Sequence, residues 1–85
     1  MRRKFIAGNW KMNKTNSEAK ELVEGLVKEL QGINDVDIVV CPPFTALSDV
    51  RNIIKDTNIS LGAQNMYFEE KGAFTGEISP VMLKD

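Results

Sequence analysis

The chain has 85 residues, 42% of them hydrophobic and 27% charged, with a formal net charge of −1. That bounds it to one small domain or a portion of a larger one, and gives no global field toward nucleic acid or an anionic membrane surface. One cysteine, Cys41, excludes an intrachain disulfide, and the absence of histidine removes the commonest general acid/base and metal ligand and any Ser–His or Cys–His dyad.

Arg2-Arg3-Lys4 at the start reads as a short solvated terminus rather than a binding patch. Phe5-Ile6-Ala7 predicts a buried strand that ends at Gly8. This apolar run is too short for a signal-peptide core or a membrane span, so a cytoplasmic, reducing setting is expected. Without a secretory signal, the glycosylation sequons Asn13-Lys14-Thr15 and Asn58-Ile59-Ser60 are expected to be chance matches.

Thr15 followed by Glu18 fits a capping box. Ala19, Leu22, Val23, Leu26, Val27 and Leu30 then recur at helical spacing, with Glu18, Lys20, Glu21, Glu24 and Lys28 largely toward water. Gly25 weakens the interior of that helix, and Gly32 is its expected stop. Val36–Val40 is a β-branched run predicted as the second strand, ended by Cys41-Pro42-Pro43 because proline has no N–H for a ladder. Thr45 is the expected cap of a second helix carrying Leu47, Val50, Ile53 and Ile54, with Asn58 closing it. Ile59–Ala63 is a third strand, and a long loop runs from Asn65 to Ile78. Ser79-Pro80 is a helix start, a hydroxyl at the N-cap and proline at the first helical position.

Alternating strands and helices predict an α/β fold, a parallel βαβαβ arrangement with right-handed crossovers. Three parallel strands leave two open edges. Burial in so small a chain barely offsets a backbone entropy cost of roughly 1–2 kcal/mol per residue. The residues therefore read as a piece of a larger protein.

Ligands of such folds bind beyond the carboxyl ends of the strands. Asn9 and Lys11 fall there, with Trp10 between them expected to turn away and anchor the loop. Lysine is a compact cation suited to a phosphate or a developing oxyanion, and asparagine both donates and accepts. The alternative is a surface loop with an incidental lysine. Cys41 reads as a small hydrophobe rather than a reactive thiol. In the long loop, Gly72 and Gly76 permit conformations closed to other residues and bracket Phe74 and Thr75. Phe74 at that tip either contacts another subunit or folds back on its own domain. Glu69, Glu70 and Glu77 read as a solvated face rather than acid/base groups, and no metal-spaced cluster, P-loop or dinucleotide fingerprint occurs.

"AGNWKMN", "VVCPPFTAL" and "LGAQNMYFEEKGAFTGEISPVML" together resemble the triosephosphate isomerase family along the whole chain. The resemblance implies an eight-stranded (β/α) barrel of which residues 1–85 are the N-terminal part: two βα units, the third strand, its loop and the start of the third helix. It implies isomerisation of dihydroxyacetone phosphate and glyceraldehyde 3-phosphate, in glycolysis and gluconeogenesis, with no cofactor and no metal. Asn9 and Lys11 would contact the triose phosphate, Lys11 holding the phosphate and supplying charge near the enediolate. The long loop would be the homodimer loop, with Phe74, Thr75, Gly76 and Glu77 at the interface and Gln64 and Asn65 at its base. The family's catalytic glutamate and histidine have no counterpart in these 85 residues, so the chain alone is expected to be inactive. Two other readings stand beside this one: a non-catalytic βα fragment, and a weak binding module for a phosphorylated metabolite.

Overall fold

The computed structural model describes residues 2–85. The elements in order are β1 (Lys4–Asn9), α1 (Asn16–Glu29), β2 (Val36–Cys41), a 3-10 turn (Phe44–Ala46), α2 (Leu47–Ile54), β3 (Ile59–Leu61) and α3 (Pro80–Lys84). The strands form one parallel sheet in the order β1-β2-β3. This is the expected βαβαβ alternation.

The register explains which residues are covered. Ile6 and Gly8 pair with Ile38 and Val40, and these pair in turn with Ile59 and Leu61, so all six share one face. The helices lie on that face. Ala19 and Val23 of α1, Val50 and Ile54 of α2, and Ala46 of the turn pack with Ile38, Val40 and Ile59 into a single core. The opposite face carries Phe5, Ala7, Asn9, Val39, Cys41 and Ser60.

The expected burial of the first strand is corrected. No residue of β1 is buried; Phe5 is 64% exposed and Ile6 58%. β1 is an edge strand, and the core draws on β2 and β3 but takes nothing from β1. The strand also continues past Gly8 to Asn9, because Asn9 still pairs with Cys41.

α1 starts as its sequence requires. The Thr15 hydroxyl accepts from the Glu18 N–H, and the Glu18 carboxylate accepts from the Thr15 N–H at 2.9 Å. Bonding to the Thr15 N–H, then to the Thr15 hydroxyl, holds the Glu18 carboxyl below the usual glutamate range; the Lys14 charge adds a smaller contribution in the same direction. Ser79 caps α3 in the expected way, accepting from the Met82 N–H at 3.2 Å. Thr45, in contrast, caps nothing: it lies inside the 3-10 turn, which carries the chain from Pro43 into α2 without a side-chain cap. Asn58 does not close α2 either. That helix ends at Ile54, followed by Asp56 at φ +63° and a Thr57 hydroxyl donating to the Ile54 carbonyl at 2.6 Å.

Candidate functional site

The carboxyl ends of the strands bring three polar side chains together. The Trp10 N–H donates to the Cys41 carbonyl at 3.1 Å, which extends the β1–β2 ladder by one bond. The indole is half-buried against the core, so Trp10 anchors the loop as expected. The chain then turns sharply at Lys11, whose φ is +55°.

Such a conformation costs a lysine about 1–2 kcal/mol. Two side chains hold it. The Asn9 Oδ1 accepts from the Lys11 N–H at 2.9 Å, a local Asx-type turn. The Gln64 Nε2 donates to the Lys11 carbonyl at 2.9 Å and to the Cys41 carbonyl at 2.8 Å. Each such bond contributes roughly 0.5–1.5 kcal/mol net, so together they offset the strain. Asn13 closes the far side, its Nδ2 donating to the Trp10 carbonyl at 2.8 Å.

The bonds within this group use the Asn9 oxygen and the Lys11 main chain. The Asn9 NH₂ and the Lys11 ammonium remain as donors, and both residues are exposed. Among the described residues no carboxylate lies within ion-pair distance of Lys11. A cation without an internal counter-ion, on a backbone fixed by hydrogen bonds, is suited to receive an anion. Among the described residues no cluster of histidine, cysteine, aspartate or glutamate could hold a metal. The larger surface concavity, between α2, β3 and α3, is lined by Phe44, Leu47, Arg51 and Leu83 and contains neither Asn9 nor Lys11.

Phe74, Thr75, Gly76 and Glu77 are not part of this group. They sit on the exposed loop after β3, and among the described residues no hydrogen bond links that loop tip to Asn9 or Lys11. The loop is closed at its base by the Tyr67 N–H donating to the Ile78 carbonyl at 2.8 Å. Tyr67 stacks on Phe68 and Phe74 with ring centroids 4.7 and 4.6 Å away. Gly72 is required there: its φ is +148°, and a Cβ would come within 2.6 Å of the Phe74 ring. Phe74 thus folds back onto Tyr67 of its own chain, with its side chain still 44% exposed.

Gln64 was legible only as the base of the loop. Its bond to Lys11 spans 53 residues of sequence, and no local pattern signals it. Cys41 also acts through its carbonyl, while its thiol packs so closely that a Cβ on Gly62 would stand 2.9 Å from Sγ.

The sequence model of the family described as "Triosephosphate isomerase" matches residues 4–85. The triosephosphate isomerase of Roseiflexus sp. (strain RS-1) is 59% identical over 85 residues, which cover 100% of this chain and 34% of that protein. The one from Caldanaerobacter subterraneus subsp. tengcongensis is 61% identical with the same coverage. The chain thus spans about a third of the length of the curated relatives it matches. The crystal structure of triosephosphate isomerase from Bartonella henselae superposes with a TM-score of 0.88 at 40% identity, covering 96% of this chain and 33% of that one. The parallel βαβαβ sheet therefore corresponds to part of a TIM barrel. With matches of this extent in both sequence and backbone, the chain belongs to the triosephosphate isomerase family.

Proposed function

We propose that residues 1–85 form the N-terminal part of a TIM-barrel domain that interconverts dihydroxyacetone phosphate and glyceraldehyde 3-phosphate, and that they supply its Asn9 and Lys11 substrate contacts. The supporting observation is the Asn9–Lys11–Gln64 group at the strand ends, in a chain of this family. Removing a proton beside a carbonyl puts negative charge on that oxygen. An ammonium presented from a fixed backbone meets this charge, and the substrate's phosphate. The Asn9 NH₂ adds neutral donors on the same side. In this reading the proton-transfer groups belong to other residues of the enzyme: no histidine is present to act as electrophile, and Glu69, Glu70 and Glu77 read as a solvated face.

The homodimer is part of the same proposal. The loop Asn65–Ile78 would enter a second subunit through Phe74, Thr75, Gly76 and Glu77, all exposed here. The protein would act in the cytoplasm, in glycolysis and gluconeogenesis. Partners of other kinds are not proposed: the net charge of −1 gives no pull toward nucleic acid, and among the described residues no helix is long and apolar enough to cross a membrane.

The test is a completed chain, residues 1–85 joined to the remaining two thirds of the Roseiflexus sp. protein. It should isomerise triose phosphates in a coupled assay. A folded, dimeric completed chain with no turnover would reject the assignment.

A further inference from the structure

We propose that Gln64 is a positioning residue for Lys11, setting the backbone from which the ammonium is presented; this rests on the role proposed above for Lys11. The Gln64 Nε2 carries two hydrogens and uses both on carbonyls, Lys11 at 2.9 Å and Cys41 at 2.8 Å. The Cys41 carbonyl also accepts from the Trp10 N–H at 3.1 Å. That carbonyl therefore joins the loop after β1, the end of β2 and the segment after β3.

The direction of the Lys11 side chain depends on the two peptide groups that flank its Cα. Asn9 fixes the N–H of one and Gln64 the carbonyl of the other. Without Gln64, a lysine at φ +55° keeps only the Asn9 bond against relaxation to a negative φ. Rotation there swings the ammonium, which sits at the end of a four-carbon stem. The donor requirement is strict. A glutamate of the same shape would face two carbonyl oxygens with acceptors, and a methionine of similar length has no N–H.

A plain staple between strands would also use such bonds, and the test must separate the two roles. In the completed chain, Gln64→Glu and Gln64→Met are each measured alone and with Lys11→Ala. Each single variant should lower kcat/KM by about 10–100-fold, since misplacing a binding group by about 1 Å has an effect of that size. With Lys11→Ala present, either substitution should lower it by less than about twofold further, because both remove the same interaction. The Lys11 amide resonance should shift or broaden in both variants. Single variants within about twofold of the parent, losses that multiply undiminished on Lys11→Ala, an unchanged Lys11 resonance, or failure of both variants to fold would each overturn the proposal. If Gln64→Glu alone fails to fold, Gln64→Met decides. A folded parent without isomerase activity rejects the functional assignment instead, and the Lys11 resonance then tests the positioning by itself.

Discussion

The Asn58 amide donates to the carbonyls of Leu30 and Ile33 at 2.7 and 2.9 Å, tying the end of α1 to the start of β3. Asn58→Ala would leave both half-buried carbonyls without that donor, so it should cost the completed chain about 1–3 kcal/mol in denaturant unfolding. A change under about 0.5 kcal/mol would mean that water replaces the amide at no cost. Lys11→Ala belongs to the same scale but acts on turnover. It should lower kcat/KM by at least about 10³-fold while leaving the fold intact. Lys11→Arg should also fail, because a planar fork does not reproduce a compact charge. Near-normal kinetics in Lys11→Ala would return the residue to an incidental surface position. The two cases also show what sequence can carry. Asn9 and Lys11 stood out as candidates because a position at or just past a strand end is a local feature. The partners of Asn58 and Gln64 lie 23 to 53 residues away, and pairing at that distance is decided by the fold.

At the scale of elements, α1 shows local signals agreeing with the fold, and it also contains one weak point. Gly25 sits in its exposed interior, with no atom within 4 Å of where a Cβ would stand. Gly25→Ala should therefore stabilise the completed chain by about 0.5–1 kcal/mol, read as a raised thermal midpoint. A lowered midpoint would reveal a close contact at that position. The capping box gives the same helix a pH dependence. The folded Glu18 carboxyl titrates below its unfolded value, so its contribution is complete above about pH 4.3 and is lost as pH falls through the folded pKa. An NMR titration of the Glu18 carboxyl carbon should show this depressed midpoint, and Thr15→Ala should move it upward. An ordinary midpoint in the parent would mean that the box frays in solution. The starts of α1 and α3 were readable because a cap is a short sequence pattern. The start of α2 was not, because Pro43 and the 3-10 turn direct the chain there with no capping side chain.

For the molecule as a whole, the sheet is covered on one face only. The other face and both edges are open, and Phe5 and Phe68 are 64% and 76% exposed. Alternation of strands and helices was enough to read the topology from the sequence. Open edges and uncovered apolar faces were expected of three parallel strands; the burial suggested by Phe5-Ile6-Ala7 was not met, because an apolar strand looks the same whether its covering elements are present or absent. Unpaired parallel edges next to exposed apolar side chains invite pairing with another chain. The 85 residues alone should therefore be marginally folded or associate, and should not isomerise triose phosphates above a blank. A positioned acid or base contributes roughly 10²–10⁴-fold, and a chain without histidine lacks the commonest one. Amide exchange resolves the fold within the isolated chain. Val36–Val40 lies in the central strand, with Ile38 and Val40 in the core, and should exchange slowly. The loop from Asn65 to Ile78 is held at its base by one main-chain hydrogen bond and an aromatic cluster of three rings, and should exchange fast. If the completed chain dimerises through this loop as proposed, Phe74 and Thr75 should become protected there. A cooperative monomer of 85 residues whose loop is as protected as β2 would show that these elements make a self-sufficient domain, and that the loop is stabilised from within.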